Sequence, residues 1–108
     1  MDSIVETKKR DEAARRNRVA DVLFDRLRPY AREKGGKFIL FGSIARGAAR
    51  FDSDVDVLVD FPREWESPAW RLVEDICAEM GVEADVRPVG WCKPEFLSRV
   101  LPGSKVIG

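Results

Sequence analysis

Two short stretches carry most of the structural information in this 108-residue chain: residues 41–47 (FGSIARG) and residues 53–56 (SDVD). The first stretch completes an apolar and aromatic run, residues 37–41, whose composition is typical of a β-strand. The chain then turns at Gly42 and Ser43. Ser43 is placed to cap a short helix that the next six residues, 44–49, are predicted to form.

The second stretch opens another predicted strand, residues 54–61, in which valines alternate with Asp54 and Asp56. Residues two apart on a strand point to the same face and lie about 7 Å apart. Two carboxylates at this spacing repel each other, and the chain offers neither a histidine nor an adjacent lysine to relieve them. A divalent cation would do so, and Mg²⁺ prefers such hard oxygen ligands.

The flanking regions predict alternating helices and strands. Apolar residues recur at helical spacing in the first third of the chain until Pro29, so we expect that helix to kink or end near Leu27. Ser67 and Pro68 have the pattern of a helix start, and Gly81 that of its end. A strand over 82–89, a helix over 94–100 and a strand over 105–107 follow. The predicted fold class is α/β (α+β in some schemes), a small mixed sheet of three to four strands flanked by helices.

Composition bounds the domain organisation and the partners. We expect a single domain over residues 1–108, with an N-terminal helical segment over 1–34. Nineteen basic residues balance nineteen acidic ones, which argues against nucleic acid as the main partner. The longest apolar stretch, residues 38–41, is too short to cross a membrane, and the charged N-terminus has no secretory pattern. We therefore expect a cytoplasmic protein without a membrane anchor.

The turn at Gly42 and Ser43 has the features of an anion-binding site. A strand that ends in Gly-Ser before a helix offers backbone N–H groups, a hydroxyl and a positive dipole end to a phosphate. Asp85, on the third predicted strand, would complete a set with Asp54 and Asp56. Because three carboxylates can hold two metal ions beside such a cradle, the pattern indicates chemistry on a nucleoside triphosphate.

Each of these features also has a purely structural interpretation. Residues 42–43 could form an ordinary strand-to-helix turn, and the two aspartates of the second strand could be solvated. Asp85 could pair with Arg87 or Arg46, and Glu83 competes with it as the third ligand. Arg46 itself could either touch phosphate or brace the loop.

A basic cluster near the N-terminus invites an RNA-binding interpretation. Interspersed acidic residues and helical spacing favour a solvated helix face instead, although an acidic partner also fits. The cluster consists of Lys8, Lys9, Arg10, Arg15, Arg16 and Arg18.

The spacing of the two stretches resembles a known signature. Gly42-Ser43, ten intervening residues and Asp54-Val55-Asp56 resemble the glycine–serine and aspartate motif of the nucleotidyltransferase (DNA polymerase beta-like) superfamily. The fuller form, which adds residues 44–47 and Ser53, is similar to the minimal nucleotidyltransferase branch of that superfamily. The resemblance covers residues 37–89 and implies that they form the catalytic core.

The resemblance also implies a role for each matched residue and for the cofactors. The substrate would be ATP, and the cofactor would be Mg²⁺, with two ions bound. The implied nucleotide-binding residues are Gly42, Ser43 and Arg46, and the implied catalytic and metal-binding residues are Asp54, Asp56 and Asp85. Of these, Asp85 would help to activate the acceptor hydroxyl.

Members of the minimal branch are typically antitoxins whose partner is an all-helical HEPN ribonuclease. The resemblance implies transfer of AMP from ATP to a hydroxyl, that of a tyrosine, on a cognate HEPN toxin encoded by a neighbouring gene. We expect no second domain that could bind an acceptor, so the acceptor site must come from another chain or from an oligomer of this one. Two alternatives stay open: a non-catalytic module that neutralises a partner by occlusion, and an enzyme that modifies a small molecule.

Overall fold

The computed structural model describes residues 3–108, and its centre is a four-stranded mixed sheet in the order β3-β2-β1-β4. β1 runs antiparallel to both β2 and β4, whereas β2 and β3 are parallel. The predicted fold class, a small mixed sheet flanked by helices, is confirmed. The elements are α1 (Ile4–Lys34), β1 (Lys37–Phe41), α2 (Gly42–Ala45), β2 (Val55–Asp60), α3 (Arg63–Glu79), β3 (Ala84–Pro88), a 3₁₀ turn (Val89–Trp91), α4 (Pro94–Val100) and β4 (Lys105–Ile107).

Helices α1 and α3 cover one face of the sheet. Phe38, Leu40 and Val57 point to this face and are fully buried together with Leu23 of α1 and Val73 of α3. Each such side chain contributes roughly 1.5–3 kcal/mol on burial, so this layer holds most of the core.

Helix α4 covers the opposite face. There Ile39, Phe41 and Leu58 form a second buried cluster, against which Phe96 and Leu97 of α4 pack. Both faces of the two central strands are thus buried, which explains why their sequence is apolar almost without interruption. The exception is the beginning of β2, where an aspartate takes the place of an apolar residue on the α4 face.

The first helix is longer than predicted. It continues through Pro29 to Lys34, so of the two expected outcomes near Leu27, a kink or an end, the end is wrong. A proline inside a helix removes one hydrogen bond and costs about 3 kcal/mol. Leu27 and Ala31, four residues apart, are fully buried on the sheet, and this packing outweighs the cost. The helix ends at Gly35, whose φ of 70° lies in the left-handed region and whose N–H donates to the carbonyl of Ala31.

The third helix also begins earlier than predicted. It starts at Arg63 with Pro62 as the N-cap, so Ser67 and Pro68 lie inside it. The acidic residues of its first turn, including Glu64, favour this start through the helix dipole. Since no side chain caps the helix by a hydrogen bond, the usual signal of a helix start is missing from the sequence.

The remaining boundaries follow the predictions closely, apart from the short helix after β1. That helix spans Gly42–Ala45 instead of residues 44–49, so Ser43 lies within it and does not cap it. The observed bounds of α4 and β4 equal the predicted ones, and β2 and β3 are shorter than predicted by one to two residues at their ends.

Within residues 3–108, no helix contains an apolar run long enough to cross a membrane.

Candidate active site

Two neighbouring strands, β2 and β3, bring acidic residues together at one end of the sheet, beside the end of β1. Asp56 of β2 is the register partner of Phe41 on one side and of Asp85 of β3 on the other. Neighbouring strands lie about 4.8 Å apart, so the two aspartates leave adjacent strands at the same level. Asp54 lies two residues before Asp56, just ahead of β2, and is exposed.

The turn after β1 closes directly over one of these carboxylates. Gly42 has a φ of 77°, and a Cβ atom built on it would collide with Oδ2 of Asp56. The position therefore requires glycine for two reasons. The backbone conformation disfavours other residues, and the carboxylate of Asp56 occupies the space that a side chain would need. The sequence predicts an anion-binding turn at this glycine, and the structure adds a carboxylate as its immediate neighbour.

The pKa of Asp56 shows that its carboxylate interacts electrostatically with the neighbouring acidic residues. Burial, followed by the negative charges of Asp85 and Asp54, raises the pKa of Asp56 to about 6, while Arg87 opposes the shift. Asp56 is half-buried and within Coulombic range of two other carboxylates, so this cluster favours a proton or a cation.

Asp85 already has a partner in this structure. Nη2 of Arg87 donates to Oδ2 of Asp85 at 3.1 Å, which is one of the structural alternatives considered above. The side chains of both residues are nearly half exposed. An ion pair of this kind is worth about 0–1 kcal/mol, so exchanging it for another partner costs little.

The donor set fits Mg²⁺, although the side chains do not stand in ligand positions. Within residues 3–108, no three acidic, cysteine or histidine side chains form a group that could hold a metal ion as they are placed. Asp54, Asp56 and Asp85 nevertheless supply the hard oxygen donors and the excess negative charge that such an ion requires. To bind it, Asp85 would turn from Arg87 towards Asp56.

The loop between α2 and β2 is held by Ser53. The hydroxyl of Ser43 donates to Oγ of Ser53 at 3.0 Å, and the backbone N–H of Arg50 donates to the same atom at 2.7 Å. Nη1 of Arg16 donates to the Ser53 carbonyl at 2.6 Å. These bonds fix the serine of the turn relative to the aspartate that follows Ser53.

The interpretation of the basic cluster as a solvated face missed this connection. Arg16 and its neighbour Asn17 fix the loop from α1, since Oδ1 of Asn17 accepts the N–H of Ala49 at 2.8 Å. Arg15 donates to the carbonyl of Met80 at 2.5 Å. The partners lie more than thirty residues away along the chain, so helical periodicity alone could not reveal them.

The side chain of Arg46 lies at the edge of the site, where the sequence placed a nucleotide contact. It is exposed and lines a groove together with Gly42 and Arg99. Arg99 and Arg87 were not among the predicted site residues. Both contact the ring of Phe96 in α4. Arg99 belongs to that helix and comes near the site through its packing, whereas Arg87 lies on β3, two residues after Asp85.

The titration of Asp56 predicts an unusual pH dependence of stability. Because its pKa in the folded state is about 6 and its ordinary value is 3.8, the folded protein binds more protons than the unfolded chain between these values. The free energy of unfolding should therefore fall as the pH rises from about 4 to about 6 and should be constant above that. The fall due to this group should be on the order of 1–3 kcal/mol.

Urea unfolding of the wild type and of Asp56→Asn, in the presence of EDTA at pH 4 to 8, measures this contribution. The variant should be the more stable protein above pH 6, and the difference should shrink towards pH 4. Other carboxyl groups titrate in the same range, so only the difference between the two proteins reports on Asp56. Parallel stability curves would contradict the prediction.

A mixed four-stranded sheet with helices on both faces and an acidic edge beside a glycine–serine turn is consistent with a nucleotidyltransferase fold. A family model described as the nucleotidyltransferase domain matches residues 24–99, more than two-thirds of the chain. The chain therefore belongs to the nucleotidyltransferase domain family, and its reaction class is nucleotidyl transfer. Neither the curated proteins nor the solved structures give a significant match. The matched range extends beyond residues 37–89 on both sides and includes most of α4.

Proposed function

We propose that this nucleotidyltransferase transfers AMP from ATP to a tyrosine hydroxyl of a cognate HEPN toxin and thereby acts as a cytoplasmic antitoxin. The observation that carries the proposal is the position of Asp56, which lies opposite Asp85 in register and in the space that the missing Cβ of Gly42 leaves. Membership of the family supports the transfer itself. The similarity of residues 42–47 and 53–56 to the minimal branch supports a toxin as the acceptor.

The proposed reaction is a displacement at the α-phosphorus of ATP. The acceptor oxygen forms a bond to that phosphorus, the bond to the bridging oxygen breaks, and pyrophosphate leaves. The hydroxyl proton passes to Asp85, which is only weakly held by Arg87. The N–H groups and hydroxyl at Gly42 and Ser43 would hold the departing phosphates. When bound, Mg²⁺ supplies neutralisation of the phosphate charge, and Asp54, Asp56 and Asp85 are the residues that would hold it.

The exposure of the site suits a macromolecular acceptor. Asp54 and Arg46 are exposed at the sheet edge, and Asp85 is accessible from the side of β3, which is an outer strand of the sheet. A partner could therefore present a hydroxyl at this edge without displacing an element of the fold.

A second candidate function is neutralisation by occlusion. The ion pair between Asp85 and Arg87 favours it, because that contact occupies the residue proposed to take the proton. In this case the fold would be retained as a binding surface, and the acidic cluster would not take part in a reaction.

An adenylylation assay tests the proposal directly. The purified chain, ATP and Mg²⁺ are incubated with the HEPN protein encoded next to it, and intact mass spectrometry follows both proteins. We expect an AMP-sized gain on a tyrosine of the partner, which EDTA prevents. If the wild-type chain is folded and binds the partner but the partner stays unmodified, the proposed catalysis is contradicted.

A neutralisation assay separates the two candidates. The double variant Asp54→Asn, Asp56→Asn is coexpressed with the toxin, after circular dichroism has shown that it folds and a pull-down that it binds. Loss of protection with the complex intact favours catalysis. Full protection favours occlusion. Label from ATP appearing only on small-molecule acceptors would favour the third class considered above.

A further inference from the structure

The groove between the turn after β1 and the end of α4 has a volume of about 300 Å³. The charged residues among those that line it are Arg46 and Arg99, and its other walls include Gly42 and the apolar side chains of Phe41 and Val100. This volume is at the lower end for a small-molecule cleft, so the groove suits part of a nucleotide better than a whole one.

The groove and the acidic cluster meet at a single residue, Gly42. Gly42 forms part of the groove wall, and Oδ2 of Asp56 occupies the space that a Cβ atom on Gly42 would take. The two arginines of the groove and the carboxylate of Asp56 therefore lie around the same turn. A ligand that spans both regions needs a segment that shares a cation with the carboxylates and a second, strongly anionic segment for the guanidinium groups. A polyphosphate chain has this distribution of charge.

The position of Arg99 is set by aromatic packing. Its guanidinium lies 5.7 Å from the centre of the Phe96 ring, which in turn packs edge-on against Phe41 of β1 with ring centres 5.8 Å apart. Arg87, the partner of Asp85, contacts the same ring at 5.1 Å. Phe96 thus holds one arginine towards the groove and another towards the acids. A guanidinium held in this way loses less freedom when it binds a phosphate.

We propose that Arg99 of α4 is a phosphate-binding residue for the β- and γ-phosphates of the nucleotide, acting with Arg46 across the groove. This inference rests on the proposed function only in taking a nucleoside triphosphate as the substrate. It adds the last helix to the nucleotide site, which the residues of the turn and strands alone do not include. Because Arg99 lines the groove beside the Gly42 turn, whereas Arg87 is the arginine paired with Asp85, the role of Arg99 concerns the leaving pyrophosphate and not the hydroxyl.

Calorimetric titration with ATP, AMP and pyrophosphate in Mg²⁺ buffer tests this role without an acceptor. Arg99→Ala should weaken binding of ATP and of pyrophosphate by about tenfold to a hundredfold, since charge-assisted hydrogen bonds are among the strong ones. AMP, which lacks these phosphates, should bind the variant and the wild type equally. Arg99→Lys should fall between the two, because lysine keeps the charge and loses the planar fork.

The control is Arg28→Ala, an exposed arginine on α1, which covers the opposite face of the sheet. It should leave all three affinities unchanged. Unchanged ATP affinity in Arg99→Ala, or an equal loss for ATP and AMP, would overturn the inference and leave the proposed function standing. A wild type that does not bind ATP would overturn the proposed function as well. Thermal unfolding of each variant verifies that it is folded.

Discussion

Replacing Asp56 with asparagine should lower the rate of nucleotidyl transfer by about three orders of magnitude or more, since a residue that holds the metal stabilises the charge of the transition state. Asparagine keeps the shape and one carbonyl oxygen, so the fit beside Gly42 is preserved. What disappears is the negative charge, which is repelled by those of Asp85 and Asp54. The same substitution should make the protein without metal more stable above pH 6, because the buried charge is unfavourable there.

Opposite effects on activity and stability distinguish a functional charge from a structural one. The matched control is Asp60→Asn, four residues along the same strand and therefore on the same face, where the carboxylate is exposed and pairs with Lys37 at 3.8 Å. Transfer rates measured by release of pyrophosphate should change by less than a few-fold in this control. A loss of activity in Asp56→Asn that is accompanied by a loss of stability would argue that the residue only supports the fold.

The predictable part of the fold consists of elements whose signals are local. β1 and α4 have the bounds expected from the sequence, because an apolar run and a proline at a helix start each act over a few residues. The bounds of β4 also agree with the prediction. The two errors at helix ends concern prolines. At Pro29 the local rule disfavours a helix, and burial of Leu27 and Ala31 against the sheet overrides it. At Pro68 the local rule predicts a helix start, whereas the helix begins five residues earlier, at Arg63.

The candidate site also has one part that the sequence predicts from local spacing and another that depends on the tertiary structure. The proximity of Asp54 and Asp56 follows from their spacing of two residues in the chain. The place of Asp85 depends on the parallel register of β3 with β2, which the sequence does not encode within any short segment. The bond between Arg16 and the loop at Ser53 depends on where a long helix crosses the sheet. From the sequence alone, a charged residue in an amphipathic helix is interpreted as solvent-exposed. Its partner becomes visible only once the position of the helix on the sheet is known.

The contact between Gly42 and Asp56 leads to the second large effect, on stability and activity together. Gly42→Ala should destabilise the protein by about 2–4 kcal/mol, because the left-handed conformation disfavours alanine and the new Cβ must displace a carboxylate. Transfer activity should fall with it, since the displaced group is Asp56. Urea unfolding and pyrophosphate release measure the two effects on the same preparations.

Gly47→Ala provides the matched control, because Gly47 also has a positive φ, of 67°, but has nothing within 4 Å of the position a Cβ would take. It should cost only the conformational part, about 1 kcal/mol. A double-mutant cycle isolates the collision: in an Asp56→Ala background, Gly42→Ala should cost no more than Gly47→Ala does. If the cost of Gly42→Ala is the same in both backgrounds, the glycine is required by the turn alone and not by the carboxylate. In that case the link between the turn and the acidic cluster, on which the proposed site depends, would be absent.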